Sequence, residues 1–193
     1  TEAVGAALRG ALAASDAVLI ASAIEHDAVA SIATTGVTWP VGAGGAVDLG
    51  WLKDRVAELT RDGKHPLVSL MLVNNETGVI QPVAEAAEIV HAAGGLIHCD
   101  AIQALGKITT SVIDLDVDYL SISAHKIGGP QGVGALYVKP GAPFRAVQTG
   151  GGQEFGRRAG TENVAGIAGF GAAVEAAEAG LADYQALNVA RAR

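Results

Sequence analysis

The chain has 193 residues, and half of them are apolar, which is enough to bury a sizeable core. Twenty acidic residues against thirteen basic ones leave a net charge of -7, which argues against nucleic-acid binding because that function favours basic surfaces. The single cysteine cannot form an internal disulfide, and no apolar stretch has the roughly 18 residues that a membrane span requires. Composition therefore predicts a soluble, cytoplasmic chain that binds neither nucleic acid nor a membrane.

Short apolar runs alternate with amphipathic segments along the first half of the chain. Strands are predicted at residues 17–21, 36–41 and 67–73. The third run is almost entirely apolar, as is typical of a strand buried on both faces of a parallel sheet. One helix is predicted after Asp48, an N-capping residue, and a second between Pro82 and Gly94.

The same alternation continues in the second half. Further strands are predicted at residues 96–99, 118–123 and 135–138. The glycine-rich residues 141–160 are predicted to form a long loop, and a long helix is predicted from about Thr161 onward. The expected inner face of that helix comprises Val164, Ile167, Gly171, Val174 and Ala177. The pattern indicates an α/β fold with a mostly parallel sheet and helices on both faces.

Polar residues follow four of the predicted strands, where ligands of open α/β sheets bind. The first strand is followed by Glu25 and His26, and the third by Asn74, Asn75 and Glu76. The next two strands are followed by Asp100 and Gln103, then by Ser123, His125 and Lys126. These groups predict a site at one sheet edge for a polar, anionic ligand.

Two of these residues have more than one interpretation from the pattern alone. Lys126 is either an ordinary surface lysine or a desolvated amine able to form a Schiff base. Asp100 ends an apolar strand, so its carboxylate needs a cationic partner, either a structural Arg or Lys or a protonated ring nitrogen. His26 either packs its ring on a ligand or simply begins a helix.

Other classes of site are excluded by spacing. Gly42-Ala43-Gly44 lacks the third glycine of a dinucleotide fingerprint, and no Gly-x-Ser-x-Gly motif occurs. His98, Cys99 and Asp100 are consecutive on a strand and cannot converge on one metal ion, so no metal is expected. Cys99 is expected to face a covering helix as a small buried hydrophobe, because successive strand side chains point to opposite faces.

Several ordered blocks of the chain resemble the signature motifs of cysteine desulfurases. These enzymes form a class V branch of the fold-type I pyridoxal-phosphate (PLP) enzymes. The matching blocks are Leu72–Gly78, His98–Gln103, Ser121–Lys126, Gly128–Gly134, Gly150–Glu154 and Arg157–Val164. The resemblance extends from Thr1 to about Val174, and it implies the large domain of a PLP-dependent transferase.

The resemblance implies a role for each residue around the cofactor ring. It implies that Lys126 binds PLP covalently and that Asp100 pairs with the pyridinium nitrogen, which keeps the ring an electron acceptor. Gln103 would hydrogen-bond the ring hydroxyl, and Asn75 would lie beside the ring near the substrate carboxylate. His26 would stack on the ring, and it would share catalytic proton transfer with Lys126.

The resemblance also implies how the cofactor phosphate is held. Ser123 and His125 match phosphate ligands of the family, and Thr1 matches a residue at a helix N-terminus that receives the phosphate. Thr161 matches a threonine that reaches the phosphate of the partner subunit. The resemblance therefore implies a homodimer.

The domain division and the activity follow from the same comparison. Residues 1–160 are predicted to form a PLP-binding large domain whose N-terminal part is missing, and residues 161–193 a long helix leading toward an absent small domain. Val4-Gly5 replace the family's usual Asn pair, and Cys99 does not match the nucleophilic cysteine. The resemblance implies that the family's nucleophilic cysteine lies on a mobile loop in the C-terminal portion of the enzyme. We expect that loop to be absent from this chain.

The function implied is conversion of L-cysteine to L-alanine plus an enzyme persulfide, which would supply sulfur to an acceptor protein for iron–sulfur clusters or thio-cofactors. The fragment alone is expected to give little sulfur transfer. A class V aminotransferase, a selenocysteine lyase and a non-catalytic truncated fragment remain alternatives.

Overall fold

The structure is a computed structural model that describes residues 1–191, with side chains described through residue 187. Six strands form one sheet: β1 (Ala17–Ser22), β2 (Val37–Trp39), β3 (His65–Met71), β4 (Leu96–Asp100), β5 (Tyr119–Ser123) and β6 (Gly134–Val138). The strand order is β2-β1-β3-β4-β5-β6, and only the β5–β6 pair is antiparallel. The predicted α/β fold with a mostly parallel sheet is therefore confirmed.

Seven α-helices connect and cover these strands within the described part of the chain. They are α1 (Glu2–Ala14), α2 (Asp27–Ala30), α3 (Leu49–Arg61), α4 (Val83–Ala92), α5 (Val112–Leu115), α6 (Val164–Ala179) and α7 (Leu181–Arg191). Short 3-10 turns occur at Ala33–Thr35, Ala124–Ile127 and Gln153–Gly156. The last of these lies inside the predicted glycine-rich loop.

The sheet separates two hydrophobic cores, as the predicted helices on both faces require. The larger core joins α3 and α4 to one face of the sheet and includes Leu52, Val90 and Cys99. The second core joins α1 to the other face and includes Leu8 and Tyr119. Cys99 is fully buried on the α3–α4 side, so its predicted orientation toward a covering helix is confirmed.

Local signals account well for the two helices in the first half. The Asp48 carboxylate accepts hydrogen bonds from the backbone N–H groups of Gly50 and Trp51 at 2.8 and 3.1 Å, which caps α3 as predicted. Pro82 is the N-cap of α4 rather than a residue of its first turn. Gly94 ends that helix region with a left-handed φ of 68°, which a residue without Cβ adopts easily.

The structure corrects the boundaries of two strands: the run predicted at 36–41 forms a strand only over Val37–Trp39, and the run at 67–73 also differs. The run predicted as a strand at 67–73 begins two residues earlier and leaves the sheet after Met71. The Leu72 N–H still donates to the Asp100 carbonyl at 2.9 Å, but Val73 pairs with Ile80 in an antiparallel bridge. This turn starts the polar segment that contains Asn74 and Asn75.

The predicted long terminal helix is wrong in two respects. In the structure the helical region begins only at Val164, where the Asn163 side chain caps α6. It is also interrupted at Gly180, so that α6 and α7 meet with a bend of 60°. The buried positions of α6 are Gly166 and Phe170, whereas the expected inner-face residues Val164 and Ile167 are 72% and 47% exposed. Residues 192 and 193 of the predicted domain lie outside the described residues, and the division at residue 160 stays a prediction.

A helix that spans a membrane has to be long and apolar enough to cross the bilayer. No single helix among them is both long and apolar enough to cross a bilayer. The bent pair α6 and α7 meets the length and composition criterion only when its two helices are taken together.

Candidate active site

The four polar clusters predicted at strand ends meet at one edge of the sheet. Strands β1, β3, β4 and β5 are mutually parallel, so their carboxyl ends point the same way. The register pairs Met71 with Asp100 and Asp100 with Ser121, so β3 and β4 end level with each other and β5 continues to Ser123. The segments carrying His26, Asn75, Asp100 and Lys126 therefore all leave the sheet at this edge.

Asp100 is the most buried of the predicted site residues. It ends β4 with 5% exposure, and its Oδ1 accepts a hydrogen bond from the Ile102 N–H at 3.0 Å. Burial raises the pKa of Asp100, and the Ile102 hydrogen bond partly offsets that rise. Among the side chains that the structure describes, through residue 187, no basic group forms an ion pair with this carboxylate.

His26 lies at the start of α2 with an exposed ring. Its Nδ1 accepts a hydrogen bond from the backbone N–H of Ala28 at 3.0 Å, so the ring caps this short helix. Because Nδ1 is an acceptor, the neutral ring carries its proton on Nε2. The helix-start interpretation of His26 is correct as local structure, and it leaves Nε2 available to a ligand.

Asn74 and Asn75, in the segment after β3, differ in burial and in their hydrogen bonds. Asn74 is buried: its Oδ1 accepts hydrogen bonds from Glu76 and Thr77, and its Nδ2 donates to the Ile24 carbonyl at 3.2 Å. Asn75 is exposed and donates only to Glu76, at 2.7 Å, within the described residues. Asn74 therefore shapes the turn, while Asn75, the predicted ligand, faces solvent.

A cleft of about 480 Å³ separates the first two strand-end segments. It is lined by residues 23–27 and 74–77, and so includes both His26 and Asn75. The structure thus brings these two predicted residues to one cavity, whose lining does not include Asp100.

Ser123 is the last residue of β5, and His125 and Lys126 lie in the 3-10 turn that follows it. The Ser123 hydroxyl and His125 Nδ1 are 2.8 Å apart, so the two predicted phosphate ligands contact each other. Lys126 is exposed and lines a second cleft of about 290 Å³, which it shares with Lys107 and Tyr184. Lys126 therefore lies at the predicted edge of the sheet but opens toward a different cleft from His26.

Lys107 is a neighbour of the site that the sequence pattern did not identify. Its Nζ donates to the backbone carbonyl of Gln103 at 3.1 Å and to the Gln103 side-chain oxygen at 3.3 Å. Burial and the charge of Lys126 lower the pKa of Lys107. The predicted ring-hydroxyl ligand Gln103 is thus already held by an amine one helical turn away.

Thr1 and Thr161 lie on segments that an ion pair ties together. Thr1 is the N-cap of α1, and its side chain makes no capping hydrogen bond. Thr161 is exposed on the loop before α6, and Arg158 of that loop donates to the Glu2 carboxylate at 2.8 Å. The roles of Thr1 in phosphate binding and of Thr161 toward a partner subunit stay predictions.

Comparison with known proteins identifies the family. The family model described as aminotransferase class-V matches residues 1–191. The chain belongs to the class-V aminotransferase family. It is 44% identical to a cysteine desulfurase of Cereibacter sphaeroides over all of this chain and 51% of that protein. It is also 57% identical to a Klebsiella pneumoniae cysteine desulfurase over 58% of this chain and 28% of that protein.

Solved structures agree with this assignment. A NifS-like protein from Rickettsia africae superimposes with a TM-score of 0.84 and 33% identity, covering 94% of this chain and 50% of that one. The chain spans about half the length, or less, of these relatives. The resemblance to cysteine desulfurases and the fold it implied are therefore confirmed.

The residues present fit pyridoxal phosphate, the cofactor that the class-V family implies. The Asp100 carboxylate is buried without a cationic side-chain partner in the described chain, as an acceptor for a protonated ring nitrogen would be. An imidazole, a lysine amine and a serine hydroxyl emerge at the same edge. This set combines a covalent anchor, a ring partner and phosphate donors.

Glu25 is the residue of this class-V site to which sequence reasoning gave no role. Its Oε1 accepts hydrogen bonds from the Ser22 hydroxyl at 2.8 Å and the Met71 N–H at 2.7 Å. Its Oε2 is buried without a partner among the described residues. Burial raises the pKa of Glu25 to about 7, and the nearby negative charge of Asp100 contributes to this rise. Its place directly before His26 at a strand end was the available signal.

A buried polar row also escaped the sequence analysis. His98 Nδ1 lies 3.0 Å from the Ser69 hydroxyl, and His98 Nε2 lies 2.9 Å from the Ser121 hydroxyl, so the ring links β3, β4 and β5. Burial lowers the pKa of His98 to about 3, which keeps the ring neutral. His98 lies two residues before Asp100 and on the same face of the sheet, so this row supports the strand that carries the carboxylate.

Proposed function

We propose that this chain is the cofactor-binding part of a PLP-dependent cysteine desulfurase. The observation that carries the proposal is the buried Asp100 carboxylate, which has no cationic side-chain partner in the described chain and lies at a sheet edge shared with Lys126 and His26. The 44% identity to the Cereibacter sphaeroides enzyme over the whole chain supports the choice of reaction. The overall reaction is L-cysteine plus a thiol giving L-alanine plus a persulfide.

The surroundings of Lys126, Asp100 and His26 indicate a separate role for each residue. Lys126 supplies the amine that binds the cofactor, and Asp100 holds a proton on the ring nitrogen through its negative charge. Bound PLP supplies an electron sink for the substrate carbon atoms. His26 presents Nε2 to the cleft because its Nδ1 is occupied by Ala28, and this nitrogen is placed to hold or move a proton.

The thiol that receives sulfur has to come from outside these 193 residues. Cys99 is the only cysteine in the sequence, and it is fully buried in the α3–α4 core. Burial raises the pKa of its thiol well above the ordinary range, so a thiolate is disfavoured there. Cys99 is therefore a packing residue. The proposal extends to a homodimer in the cytoplasm that delivers sulfur to an acceptor protein for iron–sulfur cluster assembly.

The first test maps the covalent attachment of PLP. The chain is incubated with PLP, reduced with borohydride and digested, and the modified lysine is located by mass spectrometry. We expect the adduct on Lys126 and its loss in Lys126→Ala. Lys107→Ala is the matched control, because Lys107 lines the same cleft and its loss should leave the Lys126 adduct in place. Labelling spread over surface lysines in the parent chain would contradict the proposal and support a non-catalytic fragment.

The second test concerns the reaction of the parent protein. Two reactions of L-cysteine are measured separately: alanine formation with a thiol acceptor, and formation of mercaptopyruvate with a 2-oxo acid acceptor, which is itself converted to its amino acid. Thiol-dependent alanine release with persulfide formation supports a desulfurase, whereas turnover only with the 2-oxo acid identifies an aminotransferase. Faster turnover of selenocysteine than of cysteine identifies a lyase specific for selenium.

A further inference from the structure

Glu25 closes the gap where β1 leaves the sheet. Strand β1 ends at Ser22, so no β1 carbonyl is available to the Met71 N–H at the end of β3, and the Glu25 carboxyl accepts that hydrogen bond at 2.7 Å. The same oxygen accepts from the Ser22 hydroxyl at 2.8 Å. The side chain thus continues the β1–β3 ladder with a carboxyl oxygen in place of a backbone carbonyl.

A second contact fixes the same segment. Asn74 donates from Nδ2 to the Ile24 carbonyl at 3.2 Å, one residue before Glu25. The backbone between β1 and α2 is therefore attached to the end of β3 through both Ile24 and Glu25. His26 follows directly, so the place from which its ring extends is set by these attachments.

The other carboxyl oxygen has a different environment. Oε2 of Glu25 is buried, and no residue in the described chain hydrogen-bonds to it. The charged and titratable groups that face this carboxyl are Asp100 and Cys99 on β4. His26 follows on its own segment, and the Ser69 hydroxyl, which also contacts the His98 ring, lies on β3. Met71, which donates to Glu25, is the register partner of Asp100, so the Glu25 carboxyl lies one strand away from the end of β4, and a change of its charge acts on Asp100.

We propose that Glu25 is a positioning residue of this site: its carboxyl fastens the His26 segment to β3 at Met71, the register partner of Asp100, and its charge acts on the Asp100 carboxylate. The inference rests on the proposed function only for the identity of the cofactor. The contacts themselves belong to the chain without a ligand. Glu25 and Asp100 then titrate as an interacting pair rather than as independent acids.

The test compares three variants of the whole chain. Glu25→Gln keeps an oxygen that accepts from Ser22 and Met71 but removes the ionisable group. Glu25→Ala removes the acceptor itself. Asp27→Asn is the matched control, because Asp27 is an exposed carboxylate one residue beyond His26 that lines the same cleft.

The decisive measurements are made on the chain without cofactor. The carboxyl ¹³C signal of Asp100 is followed by NMR from pH 4 to pH 9, together with the ring signals of His26. We expect the Asp100 signal of the parent chain to show a second step near pH 7, matching the value of about 7 to which burial raises the pKa of Glu25. Glu25→Gln should lose that step, and Asp27→Asn should keep it.

Hydrogen exchange tests the fastening role. In Glu25→Ala the Met71 amide should exchange at least about tenfold faster, which corresponds to about 1.4 kcal/mol, because its N–H loses its acceptor. PLP affinity should fall as well, because the His26 segment loses one of its two attachments to β3. Glu25→Gln should retain the slow Met71 exchange. If Glu25→Ala fails to fold, Ser22→Ala, which removes one of the two donors, supplies the intermediate case.

The outcomes for Glu25 can be distinguished from a failure of the proposed function. A step near pH 7 that persists in Glu25→Gln would assign the titration to another group and overturn the electrostatic role. Unchanged Met71 exchange and unchanged His26 signals in Glu25→Ala would overturn the fastening role. Failure of PLP to label Lys126, by contrast, would overturn the proposed function and leave these measurements intact.

Discussion

His98 and Glu25 make opposite contributions to stability as the pH changes. The folded-state pKa of His98 is about 3 against an ordinary 6.5, so its contribution is full above pH 6.5 and is lost as the pH falls toward 3. The folded-state pKa of Glu25 is about 7 against an ordinary 4.5, so the folded state binds this proton more tightly than the unfolded state. The resulting stability is full below pH 4.5 and is lost as the pH rises from 4.5 to 7. The two effects oppose each other between pH 4.5 and 6.5, so they must be separated by substitution.

His98→Asn isolates the first effect. Asparagine retains hydrogen-bonding groups but does not titrate, so the variant should be less stable at pH 8 and the difference should narrow as the pH falls. Each pH unit below 6.5 is worth about 1.4 kcal/mol for a fully shifted group, which gives a narrowing of about 2 kcal/mol between pH 6.5 and 5. Urea unfolding at three pH values measures the difference.

The control for this prediction is His65→Asn, since His65 is exposed at the start of β3. His65 is not part of the row formed by Ser69, His98 and Ser121, so this surface substitution should change the free energy of unfolding by no more than about 0.5 kcal/mol. A constant stability difference for His98→Asn across the same range would show that the His98 ring is accessible to protons in the folded chain.

The site residues differ in how well sequence reasoning could reach them. Asp100 and Lys126 were predicted because a polar residue after an apolar run marks a strand end, and parallel strands bring their ends together. The contact of Lys107 with Gln103 was not predicted, nor was the burial of Glu25 Oε2. These features depend on side-chain packing between segments distant in sequence, for which periodicity carries no signal.

At the scale of elements, α1 offers a paired test of close packing. Gly5 and Gly10 both lie inside this helix, but a Cβ at Gly5 would meet only the flexible Arg9 Nη1 at 3.3 Å. A Cβ at Gly10 would lie 2.8 Å from the Arg145 carbonyl oxygen and 2.7 Å from the Phe144 ring. Gly5→Ala should therefore stabilise the chain by about 0.5–1 kcal/mol, since alanine is the better helix former.

Gly10→Ala should instead destabilise the chain, by about 1–3 kcal/mol, because the backbone at Arg145 has to move and its hydrogen bond to the Gly10 carbonyl is strained. The free energy of unfolding of both variants is obtained from urea titrations of equal slope. Stabilisation by both substitutions would mean that α1 and the 144–145 segment do not approach as closely as described.

The error in α6 has a related cause. The helix is apolar on every side, so its hydrophobic periodicity does not identify one buried face. The face that is buried is chosen by small residues: a Cβ at Gly166 would lie 2.4 Å from Val133, and one at Gly169 would lie 2.7 Å from Pro130. Phe170 then packs against Ala124, at the start of the Lys126 turn. Close approach to a loop selected the face, and only the fold reveals that loop.

Considered as a whole, the molecule divides its sheet into an apolar part and a polar edge. On the α1 side, Leu67 and Tyr119 lie in the core, followed along the strands by the row of Ser69, His98 and Ser121 and then by Asp100. The alternation of apolar and polar residues predicted the sheet and the edge. The hydrogen-bonded row was not predicted, because it requires the lateral register of three strands.

This arrangement predicts how a ligand affects the entire chain. A cofactor that contacts the segments after β1, β3, β4 and β5 stabilises every element that unfolds together with those strands. At a PLP concentration of about one hundred times its dissociation constant, the gain is about 2.7 kcal/mol, and amides that exchange only by global unfolding should exchange about a hundredfold more slowly. Hydrogen exchange with mass spectrometry, resolved by peptide, measures this protection.

The expected pattern distinguishes a shared site from a local one. Peptides from β3 and β4, such as those ending at Met71 and Asp100, should gain protection together with the turn Ala124–Ile127. The exposed residues 62–64, which lie between α3 and the start of β3 at the other end of the strand, exchange by local opening and should not change. Lys126→Ala should show a smaller gain at the same PLP concentration, because the covalent anchor is absent. Protection confined to Ala124–Ile127 would mean that PLP binds to the Lys126 turn alone and that the four strand ends do not form one site.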